Sequence, residues 1–176
     1  MRKIQYLILI LLLAIMGSCS HKYDSNTLGL DFYQWNLWQD TETENGNDLP
    51  SCGWDDLHRG KGMLVRIPAT IEEHFQELKS TDVYWYHCRF TLPEQWEERP
   101  VSMIFDGAGP HIKLFLNQEF VGSFQNEEGA FELDVSEAIY YTRDNHLSIR
   151  VSSSHEGTPG KINGISGNIL VKVNID

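Results

Sequence analysis

The chain has 176 residues, enough for one domain of about 150 residues once an N-terminal signal is set aside. Its formal net charge is −11, and it becomes −13 without Arg2 and Lys3, because residues 1–18 contain no acidic side chain. An acidic chain is repelled by phosphate backbones and by anionic lipid headgroups. Nucleic acid is therefore a poor partner, and attachment to a membrane would need a lipid rather than charge.

Residues 1–18 have the organisation of a bacterial export signal. Arg2 and Lys3 precede the apolar run 7–15, which is shorter than the roughly 20 residues of a stable membrane span but fits a secretory signal. Met16-Gly17-Ser18 leads directly into Cys19, a pattern that resembles a lipobox with a lipid-bearing cysteine. We predict a signal peptide over 1–18, a lipidated tether over 19–27 and a domain over 28–176. The alternative is an ordinary signal peptide with an incidental cysteine.

Lipidation at Cys19 predicts an exported protein anchored to the bacterial cell envelope. Two or three acyl chains give stable attachment, since each buried CH₂ contributes about 0.8 kcal/mol. The anchor places the domain at the outer membrane, on either its periplasmic or its surface face.

The other two cysteines, Cys52 and Cys88, either pair in the oxidising exported compartment or remain free thiols. Cys52 lies near the end of an acidic, aperiodic segment over 41–53, which we interpret as a solvated loop. A calcium site is the alternative there, although the spacing does not match an EF-hand. Its ligands would be Glu42, Glu44 and Asp48.

The rest of the chain alternates with a period of two, which predicts strands. In 83–91 one face carries tyrosine, cysteine and phenylalanine, and the other carries Trp85, His87 and Arg89. Several strands have bulky residues on both faces, as expected where loops cover a sheet. The further predicted strands span 101–106, 112–117, 147–151 and 169–174. Asn117-Gln118 predicts a hairpin turn.

One helix is predicted after Pro68. Thr70 and Glu73 have the spacing of a capping box, and Ile71, Phe75 and Leu78 would share one helical face. A second short turn is predicted after Asp134.

The order of motifs carries a resemblance to a known family. The motifs, in chain order, are Asp31-x-x-x-Trp35, 67–70, 85–93, 105–108, 114–117, 129–135, 145–151 and Gly164-Ile165. This series resembles the N-terminal sugar-binding domain of family 2 glycoside hydrolases, the β-galactosidase and β-glucuronidase group. The resemblance covers about 28–173 and implies an all-β jelly-roll sandwich, galactose-binding-like, with one or two short helices.

The chain departs from the family pattern at three places. Asn117-Gln118 stands where the family usually has Asn-Gly, and Ser166 and Gly167 replace an aromatic residue and an arginine. Thr158 lies near the place of an acidic residue that can touch the sugar. The resemblance also puts the catalytic carboxylates in a barrel domain of about 250 residues, for which this sequence has no room.

The residues themselves give no catalytic or metal motif. There is no Gly-x-Ser-x-Gly, and the segment Ser152 to His155 is interpreted as a polar loop. No Cys-x-x-Cys and no His-x-x-x-His occurs, so the seven histidines are interpreted as surface or loop residues rather than ligands. We predict no enzyme activity, no cofactor and no metal.

Sugar sites combine an apolar surface with a few placed polar groups. Trp35 and Trp85 match core positions of the family, and Trp96 is interpreted as a turn residue that packs inward. Trp38 and Trp54 flank the acidic loop and are the stacking candidates, with a core role as the alternative. The resemblance adds His155 and Asn163 as polar contacts, because they fall on loops that face the active site in family members.

These observations predict a non-catalytic, membrane-anchored carbohydrate-binding or accessory lipoprotein of a glycan-utilisation system. A module that docks on a separate glycosidase or an outer-membrane partner is the alternative. A standalone glycosidase would need a pair of carboxylates about 5–10 Å apart across a cleft.

Overall fold

The computed structural model describes residues 25–43, 48–77, 83–125, 129–152 and 164–174. Strands dominate these residues, with one short helix, α1 (Trp54–His58), and two 3-10 turns, Leu30–Phe32 and Glu94–Trp96. The strands are β1 (Thr27–Gly29), β2 (Trp35–Asp40), β3 (Met63–Val65), β4 (Ala69–Thr70), β5 (Val83–Phe90), β6 (Val101–Phe105), β7 (Ala108–Gly109), β8 (His111–Leu116), β9 (Glu119–Gln125), β10 (Phe131–Asp134), β11 (Asn145–Ser152), β12 (Gly164–Ile165) and β13 (Ile169–Val173).

The strands form two main antiparallel sheets and one small one. The larger sheet has the order β3-β2-β5-β11-β8-β9, and the second has the order β1-β13-β6-β10. Strands β4, β12 and β7 form the small third sheet. One buried cluster draws residues from both main sheets, among them Leu37, Tyr86, Leu114, Met103 and Val171. The predicted all-β sandwich is confirmed.

The alternation predicted for β5 is also confirmed. Its even-numbered residues from Tyr84 to Phe90 belong to the main core, whereas Trp85 packs in a separate apolar cluster on the other side of the sheet. We call that other side the outer face. Val83 to Cys88 are buried without a break, so the outer face must be covered as well.

The turn predicted at Asn117-Gln118 joins β8 to β9. Both residues have positive φ, 55° and 75°, a conformation that asparagine tolerates better than most side chains. The Asn117 amide donates to the Ala138 carbonyl at 2.7 Å, and its oxygen accepts the His146 N–H at 2.9 Å. These two bonds fix the turn without the glycine that the family uses.

The helix predicted after Pro68 is wrong. Thr70 pairs with Gly164 in the small sheet, so the residue expected to cap a helix is part of a strand. Half of the capping box still forms, because the Glu73 carboxylate accepts the Thr70 N–H at 3.1 Å. The chain then makes a single turn, in which the N–H groups of His74 and Phe75 donate to the Ile71 carbonyl. Phe75 packs on Tyr84 with ring centroids 5.1 Å apart.

The helix that the described residues do form is α1, which directly follows the acidic segment. Five residues are too few to show a helical period, so no periodic pattern predicts this helix. Asp55 and Asp56 lie in its first turn, where negative charge interacts favourably with the helix dipole. The turn predicted after Asp134 is present, closed by bonds to the Val135 carbonyl.

Cys52 and Cys88 are free thiols, so the disulfide alternative is contradicted. Cys88 belongs to the main core, whereas Cys52 packs on the outer-face cluster, and the sheet lies between them. Burial raises the pKa of the Cys88 thiol to about 12. That thiol is therefore a small apolar side chain of the core.

Trp35, Trp85 and Trp96 are buried, as their core interpretation predicts. None of the helices in the described ranges is long and apolar enough to cross a membrane.

Candidate functional site

The outer face of the six-stranded sheet is covered by residues 48–62, which lead from the acidic loop to β3. We call them the covering segment. Leu57 of α1 packs there against Val83, Trp85 and Phe115, and Trp54 lies at the margin of the same cluster. The segment thus puts a short helix across β5, β11 and β8. Side chains of α1 meet side chains of these central strands.

Asp40 anchors the covering segment. This buried carboxylate accepts the Ser51 hydroxyl at 2.6 Å, the Thr43 hydroxyl at 2.5 Å and the Trp85 indole N–H at 3.3 Å. Burial by itself raises the pKa of Asp40, but hydrogen bonds from Ser51 and Thr43 outweigh it and hold the pKa below its usual value. The carboxylate therefore remains charged and ties both ends of the loop to the sheet.

The calcium alternative for this loop receives little support. Asp48, one of the three proposed ligands, forms an ion pair with Lys113 of β8. Its carboxylate therefore already has a cationic partner. Glu44 lies outside the described residues.

The two tryptophans predicted to stack on a sugar both lie on the outer face, and both are half buried. The Trp54 ring meets Trp85 edge-on with centroids 5.7 Å apart and meets Phe115 at 5.2 Å. The Lys61 ammonium lies 5.5 Å from the centroid of the Trp38 ring. Both rings thus have packing partners in the protein, and their role in sugar binding stays a prediction.

Three other predicted site residues lie outside the described residues: Cys19, His155 and Asn163.

Three histidines that are distant in sequence converge on the outer face. His58 comes from α1, His87 from β5 and His146 from β11. Their rings are nearly parallel, with centroids 5.0 Å apart for His58 and His87, 4.3 Å for His58 and His146, and 5.3 Å for His87 and His146. We call these three residues the histidine cluster. The interpretation of all seven histidines as surface or loop residues is therefore wrong for His87, which is buried in a central strand.

One close contact links two rings of the cluster. His87 Nε2 and His146 Nδ1 are 3.1 Å apart. His58 Nε2 lies 3.5 Å from the Ser148 hydroxyl, which points the same way from β11. One nitrogen from each of the three rings can be chosen so that all three lie within 4.8 Å of one another.

The cluster is electrically neutral near neutral pH. Burial, together with the neighbouring imidazoles, lowers the pKa of His87 to about 3 and that of His58 to about 4. Burial also lowers the pKa of His146, against the opposing charge of Asp144. His87 Nδ1 is buried without a hydrogen-bond partner among the described residues, an uncommon condition for a buried polar atom.

A cleft of about 410 Å³ opens beside the cluster. His58 and His87 form part of its wall, and the remaining lining residues are Tyr33, Gln34, Asn36, Arg59, Gly60 and Arg89. Asn36 donates to the Gly60 carbonyl at 3.1 Å, which ties β2 to the end of the covering segment. The two arginines are exposed and each pairs with a surface acid, Arg59 with Asp56 and Arg89 with Asp144.

Part of this site could have been found from the sequence. Alternation in β5 puts His87 on the outer face, and alternation in β11 does the same for His146 and Ser148. The register that makes β5 and β11 neighbours, and the helix that brings His58 over them, depend on long-range pairing. Sequence spacing alone gives no sign of that convergence.

Comparison with curated proteins gives two β-galactosidases. The one from Thermoanaerobacter pseudethanolicus is 26% identical over 157 residues, covering 83% of this chain and 21% of the relative. The one from Psychromonas ingrahamii is 34% identical over 73 residues, covering 42% of this chain and 7% of the relative. This chain thus spans about a fifth or less of the curated relatives it matches. No protein-family model matches it.

Solved structures share the fold. A glycosyl hydrolase family 2 member from Bacteroides cellulosilyticus superposes with a TM-score of 0.64 at 17% identity, covering 84% of this chain and 20% of that one. A β-glucuronidase from Bacteroides uniformis gives 0.63 at 18% identity, with 84% and 18% coverage. The chain has the fold of the N-terminal sugar-binding domain of family 2 glycoside hydrolases, as the order of its motifs predicted.

Proposed function

We propose that this protein is a non-catalytic carbohydrate-binding or accessory lipoprotein of a glycan-utilisation system, held at the bacterial cell envelope by a lipid on Cys19. The observation that carries the proposal is the fold, which is that of the sugar-binding domain of much longer glycosidases. The match covers this domain and about a fifth of the relative, so the part of the relatives' function that we carry over to this chain is recognition of a glycan.

The cleft beside the histidine cluster is the place where we expect a sugar to bind. Its volume falls within the roughly 300–1,000 Å³ typical of small-ligand pockets. Asn36, Arg59 and Arg89 offer amide and guanidinium donors for hydroxyl groups, and Tyr33 adds an aromatic ring. Trp38, a predicted stacking residue, lies two residues beyond Asn36 on the same face of β2, but it is not among the residues that line the cleft.

A glycan-array screen of the full chain, purified in detergent, tests the proposal. We expect binding to one glycan class, followed by a measurable dissociation constant by calorimetry. Arg59→Ala and Arg89→Ala should each weaken that binding, since both guanidinium groups line the cleft and neither belongs to the core. Arg99→Ala is the matched control, because Arg99 is exposed and is not among the residues that line this cleft. A blank array from folded protein would contradict carbohydrate binding, and an equal loss in the control would contradict the location.

The lipid anchor has its own test. Cys19→Ala should move the protein from the membrane fraction to the soluble fraction, because the thioether can form only on that thiol. Retention of the variant in the membrane would contradict lipidation at Cys19.

A docking module is the second candidate, and one observation favours it. Met63 and Leu64 are exposed on β3, which lies at an edge of the six-stranded sheet. An exposed apolar edge strand can pair with another chain. Leu64→Lys should then abolish co-purification of a crosslinked glycosidase or outer-membrane protein without altering glycan binding. Crosslinked cells that yield no such partner would count against this candidate.

A further inference from the structure

The histidine cluster joins three secondary-structure elements at one point. His58 lies on α1, His87 on β5 and His146 on β11, and each ring offers a nitrogen within 4.8 Å of the other two. The three imidazole rings are nearly parallel, and they lie where α1 meets the outer face of the sheet.

We infer that the histidine cluster is a binding site for a divalent transition-metal ion of the zinc type. Imidazole nitrogen is a preferred ligand of zinc, copper and nickel, and three histidines with an open fourth position are a recurrent zinc arrangement. Two of the three histidines line the cleft, so the fourth position can be reached from solvent.

The distances are close to those that a tetrahedral ion requires. Bonds of 2.0–2.1 Å at tetrahedral angles separate the nitrogens by about 3.3 Å. His87 Nε2 and His146 Nδ1 are already 3.1 Å apart. The largest separation, at most 4.8 Å, closes by a shift of about 1.5 Å in a half-buried side chain. The ring planes lie within 21° of parallel and each lone pair lies in its ring plane, so the rings must also rotate for three lone pairs to meet at one ion. The hydrogen bond between His87 and His146 would then be replaced by bonds to the ion.

The chemistry around the cluster suits a cation. Each ring can offer one nitrogen lone pair to an ion. Asp55 and Asp144 are the acidic groups whose charges act on the cluster, and Arg89 is the opposing cation, itself paired with Asp144 at 3.7 Å. The Ser148 hydroxyl, 3.5 Å from His58 Nε2, is placed to orient that ring or to accept a bond from a metal-bound water.

The test uses the full chain, purified in detergent with a tag that contains no histidine and stripped of metal with a chelator. Titration with Zn²⁺ against a chromogenic chelator should show one tight site per chain. Co²⁺ in place of Zn²⁺ should give the intense visible absorption of a four-coordinate ion. Bound Zn²⁺ should also raise the unfolding midpoint, because it binds the folded state alone.

The informative variant is His58→Gln, because His58 is half buried on a short helix and its loss spares the central strands. We expect Zn²⁺ affinity to fall by more than about tenfold. Removal of a residue that only orients a metal ligand already costs about 10–100-fold in affinity, and His58 would be a ligand itself. His74→Gln is the control, since His74 is exposed on the turn after β4. No tight site in the native chain, or equal affinities in the two variants, would overturn the inference.

His87 is buried in a central strand, so replacing it can prevent folding. The test therefore uses two separate single variants, His58→Gln and His146→Gln. Each of these two variants should lose the four-coordinate Co²⁺ spectrum while keeping the native circular dichroism spectrum. An unchanged Co²⁺ spectrum in both would place the ion elsewhere.

Discussion

Ser51 donates two hydrogen bonds to the carboxylate of Asp40, one from its backbone N–H to Oδ2 at 2.9 Å and one from its hydroxyl to Oδ1 at 2.6 Å. Asp40 is the last residue of β2, and Ser51 stands three residues before α1. The pair therefore closes the acidic loop and fixes where α1 begins. His58 and Trp54 owe their places on the outer face to this closure.

Replacing Asp40 with asparagine should destabilise the protein by about 2–3 kcal/mol. The carboxylate accepts hydrogen bonds from donors on every side, and an amide would turn its own N–H groups toward some of them. The free energy of unfolding, measured by urea denaturation, gives the effect. Glu132→Gln, at an exposed position on β10, is the control and should change stability by less than about 0.5 kcal/mol. A loss in Asp40→Asn no larger than in the control would contradict the anchoring role.

Asp40 also predicts a dependence of stability on pH. Its pKa is lower in the folded protein than its usual value of 3.8, so its contribution is complete above that value and is lost as pH falls through the folded pKa. The native chain should lose stability on acidification below about pH 4, with a steeper slope than Asp40→Asn in that range. Urea denaturation of both proteins at a series of pH values measures the difference. Parallel slopes would mean that the carboxylate has an ordinary pKa.

The sequence predicted the parts of this site that depend on alternation. Alternation predicts Trp85, His87 and Arg89 on one face of β5, because the residues between them, Tyr86 and Cys88, suit the core. Prediction from the sequence failed where a long-range contact decides the outcome: Thr70 pairs with Gly164 in a sheet, and this pairing overrides a local capping signal. Short α1 was missed for a different reason, because its five residues are held by Leu57 against the sheet rather than by helix propensity.

The bond between the Trp85 indole and Asp40 should be measurable as a coupling energy. Trp85→Phe keeps an aromatic ring against Phe115 and Trp54 but removes the N–H that donates to Oδ2 over 3.3 Å. In a double-mutant cycle with Asp40→Ala we expect a coupling of about 0.5–1.5 kcal/mol, because each single change removes one partner of the bond. Strict additivity of the two losses would show that the long bond contributes nothing.

Variants at Trp54 distinguish a packing role of this side chain from a role in sugar recognition. Its ring contacts Trp85 and Phe115, so Trp54→Ala should cost about 2 kcal/mol of unfolding free energy, roughly half the loss for a fully buried aromatic residue. Trp54→Phe keeps most of that packing and should cost less than about 1.5 kcal/mol. Unfolding and glycan affinity are then measured on both variants. If affinity follows stability, the tryptophan acts by holding α1 in place. If Trp54→Phe keeps the stability but loses affinity, the indole itself contacts the sugar, and the stacking prediction is confirmed.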